Sequence, residues 1–380
     1  MVLIPLWKVR REINRIGERS LAWLGNFYEP LLKRRHDLWR VRQPVPPDLG
    51  VQLTPKVAIF LIYQPRGVAP SILCTLRWLV QNGYAPLVVS NAPISGRDRS
   101  KLEPLVWRIF ERPNFGYDFG GYRDGVLLLD AWGVKVDRVL ILNDSVWLPT
   151  RATSTLIERL EALDTDLAGG TMHPASLRRS TSLQPRYLES YLFLLSGHAV
   201  HSEQFVRYWH RFPASSHKHH AIRKGERRFT SALENMGFTV EGLFSAQKFV
   251  DAIAASDDRT LYLSLQYGAY VEADHQAESD SLVAGFGQDP EWRAKVLNFM
   301  DRMVRRRRFN AVFPFPCDQL FGMDFLKKSV GSTGDGGKSL HAEMWDKFLK
   351  AVQDGALPDI LPEVKSEMKS AGMKRPKRSP

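Results

Sequence analysis

Two short stretches of the chain bring carboxylate, amide and hydroxyl side chains together. The first is the tripeptide Asn143, Asp144 and Ser145, which directly follows the β-rich run 137–142. Hard divalent cations prefer carboxylate and amide oxygens as ligands, and a cation held in this way can neutralise a diphosphate group. The same residue types also favour turns and helix starts. The tripeptide is therefore either part of a cation and phosphate site or a capped turn.

The second stretch is NFGYDFGGYRDG, residues 114–125, in which four glycines and two aspartates precede the apolar run 126–129. A glycine inside a helix costs about 1 kcal/mol relative to alanine. At a turn between a strand and a helix, glycines would let backbone N–H groups approach a ligand closely. Because Asp118 is an anion, a hydroxyl, a base N–H or a metal ion suits it better than a bare phosphate. The glycine spacing is not G-x-G-x-x-G, which argues against a dinucleotide-binding oxidoreductase.

The elements that would position both stretches follow from the alternation of β-rich and helical segments after residue 56. The predicted strands are 56–63, 84–90, 107–111, 137–142 and 166–169, and the predicted helices are 69–82, 98–106, 118–131, 153–163, 202–211 and 226–236. In the helix 118–131 we expect a buried stripe of Phe119, Tyr122, Val126 and Leu129, with Asp118, Gly121 and Gly125 on another face. The alternation predicts an α/β fold with a mostly parallel central sheet flanked by helices. Ligands bind beyond the carboxyl ends of such strands, where both polar stretches lie. Residues 251–290 give no clear pattern.

The formal net charge of +12 belongs to the two ends of the chain. Residues 1–42 carry ten Lys and Arg against four Asp and Glu, and residues 365–380 carry six against one, so eleven of the twelve charges lie there. A nearly neutral body argues against a nucleic-acid partner. Two distant cysteines and the lack of an apolar run of roughly 18 residues favour a cytoplasmic protein.

The basic N-terminus predicts an amphipathic helix over residues 1–31. Its apolar face is formed by Leu6, Val9, Ile13, Ile16, Trp23, Leu24, Phe27 and Leu31. Such a helix suits an anionic membrane surface, on the inner face of the plasma membrane, or it packs on the chain's own body. Both interpretations stay open. The end 369–380 is expected to be a disordered basic tail.

Four segments resemble the rhamnan synthesis F family of glycosyltransferases, in the same order and at similar separations. They are VAIFLIYQPRGV, LVVSN, RPNFGYDFGGYRDG and DRVLILNDSVWLP, with looser similarity through SYLFLLSGHAV, GERRFTSALENMGF and LFGMDFLKKS. The resemblance covers roughly residues 56–330, and its most specific part is N-x-G-x-D-x-G followed about 25 residues later by N-D-S.

This resemblance implies a GT-A-like fold that binds a nucleotide sugar, with a deoxysugar donor such as dTDP-L-rhamnose, and builds a cell-surface polysaccharide or lipid-linked glycan. The donor-binding residues that it implies are Asn91, Asn114, Gly116, Asp118, Gly120, Asn143, Asp144 and Ser145. N-D-S stands where related enzymes carry D-x-D, yet it keeps one carboxylate. A divalent cation, Mg or Mn, is therefore expected at Asp144 if the enzyme uses a metal.

Inverting sugar transfer also needs a carboxylate that removes a proton from the acceptor hydroxyl. Glu226 resembles the acidic residue that opens a helix in many inverting GT-A enzymes, and we expect it to be the general base. The alternative is a surface glutamate that favours its own helix N-terminus by about 0.3–1 kcal/mol. The run Arg305–Arg308 either grips a phosphate or is an exposed helix end.

The sequence therefore predicts four parts: a basic helical extension and linker (1–50), a nucleotide-sugar-binding half (51–170), an acceptor-side half (171–330) and a C-terminal helix with a tail (331–380). The leading hypothesis is a deoxysugar transferase. The alternative is a non-catalytic module that binds glycan and scaffolds a polysaccharide assembly system.

Overall fold

The structure is a computed structural model that describes residues 28–177, 183–328 and 339–373. Its strands are β1 Lys56–Ile62, β2 Ala85–Ser90, β3 Arg108–Glu111, β4 Arg138–Asn143, β5 Val146–Trp147, β6 Leu167–His173, β7 Ser176–Leu177, β8 Leu183–Gln184, β9 Tyr187–Leu188, β10 Leu192–Ser196, β11 Val240–Ser245 and β12 Leu326–Lys327. An eight-stranded sheet has the order β11-β6-β10-β4-β1-β2-β3, with β9 paired to β6. Two small ribbons, β12-β5 and β7-β8, complete the strand pairs among the described residues.

The central sheet is mostly parallel, which confirms the predicted fold class. Strands β4, β1, β2 and β3 run parallel to one another, and so do β6 and β11. Strand β10 lies between β4 and β6 and is antiparallel to both. Strands from both predicted halves, 51–170 and 171–330, therefore share one hydrogen-bonded sheet.

Helices cover both faces of this sheet. They are α1 28–41, α2 Pro70–Gln81, α3 Gly96–Leu102, α4 Tyr117–Ala131, α5 Leu156–Glu161, α6 Gly197–Val200, α7 Glu203–Arg211, α8 Lys218–Lys224, α9 Glu226–Asn235, α10 Ala246–Ala255, α11 Asp258–Gln266, α12 Ala273–Ala284, α13 Trp292–Arg306, α14 Phe309–Val312, α15 Pro314–Phe321, α16 Leu340–Gln353 and α17 Pro362–Met373. None of the helices in the described ranges is both long and apolar enough to cross a membrane.

Strand β1 shows why the sheet needs helices on both sides. Its alternate residues belong to two different cores: Ala58, Phe60 and Ile62 pack with one set of helices, and Val57, Ile59 and Leu61 with another. Successive side chains of a strand point to opposite faces. A strand that is apolar at every position from Val57 to Ile62 is therefore typical of a parallel sheet that is covered on both faces.

Every strand and helix predicted between residues 56 and 236 is present, with ends that shift by a few residues. The predicted helix 98–106 is shorter, because α3 ends at Leu102 and a 3-10 turn, Glu103–Leu105, contains Pro104. Residues 251–290, which gave no pattern, contain the second half of α10 and all of α11 and α12.

The two ends of the chain are described in part. Residues 1–27, which hold most of the predicted amphipathic face, and residues 374–380 lie outside the described residues. Helix α17 reaches Met373, so the predicted tail is wrong for 369–373. The buried side chains of Val364 and Met368 explain this helix, since they belong to a core with α16.

Candidate functional site

A cavity of about 540 Å³ lies at the carboxyl ends of β1, β2 and β4. It is lined by Tyr63, Asn91, Asn114, Tyr117, Asp118, Phe119, Asn143, Asp144, Ser145, Glu189, Ser190, Tyr191, Ala221, Glu226 and Lys327. Seven of the nine predicted site residues are among them. The exceptions are Gly116 and Gly120. The polar stretches predicted from two distant parts of the sequence therefore line one cavity.

The tripeptide after β4 is both a turn and a part of the cavity wall. Asn143 Oδ1 accepts hydrogen bonds from the backbone N–H of Ser145 at 3.1 Å and from its Oγ at 2.5 Å. The Asn143 amide nitrogen donates to Asp118 Oδ2 at 3.2 Å. The two interpretations of the tripeptide are thus compatible, because the turn holds Asn143 where it meets Asp118.

Asp144 is a carboxylate whose ionised form is opposed by its surroundings. Burial raises the pKa of Asp144 above its ordinary value, although hydrogen bonds and the charge of Lys328 act the other way. Its Oδ2 accepts from the backbone N–H of Tyr63 at 2.8 Å and from Gln64 Nε2 at 2.6 Å. A cation close to this group would favour the ionised form.

Asp118 lies in the first turn of α4, at the end of a left-handed bend. Gly116 has φ of 80° and Tyr117 has φ of 53°. The second value is uncommon for a residue with a side chain, and such conformations often occur at functional sites. The bend directs the chain from the 114–116 loop into α4, which brings Tyr117 and Asp118 to the cavity wall.

The other glycines of this stretch allow close packing. A Cβ on Gly120 would lie 2.1 Å from the Phe115 carbonyl oxygen, and one on Gly121 would lie 2.3 Å from Leu61 Cδ1. The N–H of Gly120 donates to the Gly116 carbonyl at 2.9 Å. The missing side chains of Gly120 and Gly121 are therefore required for packing within the chain. They let α4 lie directly against its own first turn and strand β1.

The predicted stripe on α4 is too narrow. All residues from 119 to 129 are buried, including Arg123 and Asp124. A helix that is buried all round does not show a one-sided pattern, so the face assigned to Gly121 and Gly125 is not a solvent or ligand face.

Glu226 begins α9 and faces the cavity. Its Oε2 accepts a hydrogen bond from Ser190 Oγ at 2.8 Å. A second glutamate, Glu189, also lines the cavity, but its oxygens contact His173 Nε2 at 2.9 Å and Arg308 Nη1 at 2.5 Å. Burial opposes its ionisation, and these partners outweigh burial and lower the pKa of Glu189. Glu226 is therefore the better candidate for taking up a proton.

A positively charged side chain near the end of the predicted acceptor-side half, 171–330, also lines the cavity. In the part of the chain that the structure describes, Lys327 is the one cation that lines the cavity, against four carboxylates. Lys327 pairs with Val146 in the β5–β12 ribbon, and Val146 directly follows the tripeptide in the sequence. Arg308 forms an ion pair with Glu189, which neither interpretation of 305–308 foresaw. Nothing in the local sequence indicated either role, because both depend on pairing between distant segments.

The oxygen-bearing residues of the cavity fit a divalent cation that takes its other ligands from water and substrate. Within the described ranges no group of three or more His, Cys, Asp and Glu side chains could hold a metal ion. Asp118, Asn143 and Asp144 nevertheless offer hard oxygen atoms to one cavity. Magnesium is commonly bound by one or two carboxylates, with water and substrate phosphates as its other ligands. The donor set fits such a site and does not fit a closed protein cage.

A buried charged network behind the cavity was missed by sequence reasoning. Arg112 follows β3, and its guanidinium donates to Asn91 Oδ1, to the Phe115 carbonyl and to Asp124 Oδ2, the last at 2.7 Å. The side chains of Arg112 and Asp124 have no exposed surface. Burial opposes ionisation of Asp124, but Arg112, His36 and Arg123 outweigh it and lower its pKa to about 2.

Comparisons with known proteins agree with the motifs. Residues 87–264 match the family model described as rhamnan synthesis protein F. The chain is 30% identical over 300 residues to the uncharacterized protein y4gN of Sinorhizobium fredii, which covers 77% of this chain and 72% of that protein.

Solved structures resemble the chain more distantly. A nucleotide-diphospho-sugar transferase described as putative, from Desulfovibrio desulfuricans, is 10% identical with a TM-score of 0.28, over 51% of this chain and 81% of its own. A Mn/GDP form of core-mannan synthase A from Aspergillus fumigatus is 8% identical with a TM-score of 0.28, over 51% and 75%. Similarity at this level does not assign an activity to the chain.

Proposed function

The chain belongs to the rhamnan synthesis protein F family, and on that premise we propose that it is a glycosyltransferase. It would move a deoxysugar, with rhamnose as the leading candidate, from a nucleoside diphosphate donor. The acceptor would be a cell-surface polysaccharide or a lipid-linked glycan. One observation carries this proposal. Asp118, Asn143, Asp144 and Glu226 line a single cavity at the carboxyl ends of parallel strands. Donor ligands and a candidate base therefore lie within reach of one bound molecule.

The donor would lie along the wall formed by the strand ends. Asn91, Asn114, Gly116 and Gly120 remain predicted donor residues, of which the two asparagines line the cavity. A magnesium or manganese ion, when bound, would neutralise the diphosphate leaving group, and Asp118, Asn143 and Asp144 are the groups that would hold it. Lys327 adds a positive charge on the same wall.

Glu226 would take the proton of the acceptor hydroxyl. Its contact with Ser190 Oγ holds one carboxylate oxygen, which leaves the other oxygen to accept a hydrogen bond from the acceptor. Transfer by direct displacement would invert the configuration of the sugar. Proton NMR of the anomeric product measures this, and a retained anomeric configuration would contradict the proposed mechanism.

The central experiment measures turnover by the purified protein. A panel of nucleotide sugars that includes dTDP-L-rhamnose is supplied with a lipid-linked acceptor, and release of nucleoside diphosphate is followed. We expect release from at least one donor, dependent on Mg²⁺ or Mn²⁺. Asp144→Ala should abolish release while circular dichroism stays unchanged, because it removes a carboxylate from the cavity wall that is proposed to hold the cation.

Asp301→Ala is the matched control for this variant. Asp301 lies on α13 and forms an ion pair with Arg305 at the surface, so activity should be unchanged. If the folded wild-type protein binds glycan but gives no heat with any nucleotide sugar in calorimetry, the scaffolding alternative replaces the transferase.

We also propose that the enzyme docks on an anionic membrane surface through α1. The body-facing side of this helix carries the buried polar residues Glu29, His36 and Arg40, together with Trp39, which packs on the core. Its outward side is apolar, with Leu31 63% and Leu38 51% exposed. Exposed cations are Arg34 and Arg35 on the same helix and Arg42 directly after it. An apolar surface with cations beside it complements anionic lipid, at about 1 kcal/mol per cation.

Vesicle sedimentation tests this docking. The double variant Leu31→Ser with Leu38→Ser should sediment less with phosphatidylglycerol vesicles than the wild-type protein, and neither should sediment with neutral vesicles. Leu320→Ser is the control, since Leu320 is an exposed leucine on another helix, α15. Equal sedimentation of the double variant and the wild type would exclude this surface.

A further inference from the structure

Helix α1 contacts the charged network behind the cavity through buried side chains. His36 Nε2 lies 2.6 Å from Asp124 Oδ2, and the same oxygen accepts from Arg112 Nε at 2.7 Å. The His36 and Phe115 rings are 5.2 Å apart. One residue of α1 therefore contacts both the centre of the charged network and the 114–116 loop region.

Arg112 connects Asp124, the partner of His36, to the cavity wall. Its two terminal nitrogens donate to different acceptors, Asn91 Oδ1 and the Phe115 carbonyl. Asn91 lines the cavity, and Phe115 lies between Asn114 and Gly116, which are both predicted to bind the donor. Arg112 itself does not line the cavity. A planar guanidinium with fixed donor directions sets the position of both acceptors at once.

The rest of α1 holds this arrangement in place. Arg40 Nε lies 3.6 Å from Asp124 Oδ1, and Asp37 Oδ1 lies 2.6 Å from Arg123 Nη1. Glu29 accepts a hydrogen bond from Ser215 Oγ. All of these groups except the half-buried Asp37 are buried. Removal of one partner therefore leaves another without its counter-charge or hydrogen bond, which is costly in a low-dielectric interior. Helix α1 and the network behind the cavity are thus expected to be ordered together.

We propose that helix α1 is a structural part of the donor site, and that His36 and Arg112 are positioning residues which fix Asn91 and the 114–116 loop for the nucleoside diphosphate. This inference rests on the proposed function, because it concerns the same cavity. It adds that an element outside the 87–264 family match takes part in donor binding. Binding at the cavity and ordering of α1 should then strengthen each other, since coupling between sites is reciprocal.

Calorimetry with full-length variants tests the proposal, with dTDP, UDP and GDP in the presence of Mg²⁺ as probes. In His36→Ala, the diphosphate that binds the wild-type protein should bind about 10-fold more weakly or worse, as is typical for loss of a group that orients a ligand-binding residue. Arg112→Lys keeps a positive charge near Asp124 but cannot contact both Asn91 and Phe115, and the same weakening is expected.

His198→Ala is the matched control. His198 Nδ1 contacts Asp166 Oδ1 at 2.9 Å, near the amino-terminal ends of β4 and β6, away from the cavity. It should bind the diphosphate as the wild type does. A merely structural role for His36 would lower the melting temperature and leave the affinity unchanged, and that result overturns the proposal.

Amide hydrogen exchange on the wild-type protein measures the ordering of α1 without requiring that a variant folds. Addition of the bound diphosphate should slow amide exchange in residues 28–41 as well as in 114–120. Slower exchange in 114–120 alone would overturn the inference and leave the proposed function intact. If none of the three diphosphates binds the wild-type protein, the proposed function fails and the inference fails with it.

Discussion

At the scale of single residues, the cavity holds two glutamates with different surroundings. Glu189 forms an ion pair with Arg308 and contacts His173 Nε2, whereas Glu226 accepts a hydrogen bond from the neutral Ser190 hydroxyl. A carboxylate that is already paired with a cation is a weak base. The assignment of Glu226 as the proton acceptor thus follows from its partners as well as from its place at the start of a helix.

Glu226→Gln should therefore lower kcat by about 10²–10⁴-fold and leave the donor KM nearly unchanged, since general base catalysis typically contributes that much. Steady-state kinetics with varied donor measure both constants. Glu241→Gln on β11, a half-exposed glutamate beside Lys248, is the control. A kcat within about 3-fold of the wild type would assign the proton transfer to another group.

His341 should make the stability of the protein depend on pH. Burial, together with Lys327 and Arg308, lowers the pKa of His341 from its ordinary 6.5 to about 4. Between these two values the unfolded chain binds a proton that the folded chain does not, so the free energy of unfolding falls as pH decreases from 6.5 to 4. In His341→Gln this part of the pH dependence should disappear, as measured by urea unfolding at several pH values. An unchanged slope would contradict it.

Sequence reasoning located seven of the fifteen residues that line the cavity. Polar residues that directly follow buried strands were recognisable, because the strands are continuous apolar runs and their ends are marked by Asn91 and Asn143. The roles of Arg112, Lys327 and His36 could not be found in the same way, because each depends on contacts between segments that are apart in the sequence. Arg112 opens the segment RPNFGYDFGGYRDG, but nothing in that segment indicates its contact with Asn91.

At the scale of elements, α4 shows how a helix can tolerate several glycines. Its loss of intrinsic helix stability is offset by contact with β1, where Gly125 would place a Cβ 2.6 Å from Ile59 Cγ2. The sequence predicted the helix correctly, but it connected the glycines with ligand approach and did not predict their packing on β1. Ligand approach and close packing require the same residue, and only the neighbouring strand distinguishes them.

Gly121→Ala should consequently destabilise the protein, by about 1–3 kcal/mol, because the new methyl group collides with Leu61 in a packed core. Gly96→Ala on α3 is the matched control, since nothing lies within 4 Å of its Cβ position. Denaturant unfolding of both variants measures the difference. Equal stability of the two variants would mean that α4 does not pack on β1 as described.

At the scale of the whole molecule, the alternation of strands and helices predicted the mostly parallel sheet, but it did not predict how the second half joins the first. Strand β10 pairs with β4 through five residues and reverses the strand direction. The local sequence does not reveal that a strand is antiparallel to its neighbours, because its apolar residues resemble those of any buried strand.

The shared sheet also predicts a single cooperative unfolding transition. Far-ultraviolet circular dichroism reports on the sheet and helices, and near-ultraviolet circular dichroism reports on the packed tryptophans of both halves. The two signals should change at the same temperature, as expected for one cooperative unit. Two resolved transitions would indicate that the halves 51–170 and 171–330 unfold separately.

Continuity between β4 and β10 has a consequence for how new sugar specificities could arise. Asp144 and Glu226 are attached to one hydrogen-bonded framework, so a change of substrate by rotating one half against the other would break the middle of the sheet. Divergence within the family should instead proceed by exchange of the short segments after each strand. Chimeras that swap residues 112–117 between relatives are the natural place to look for altered donor choice.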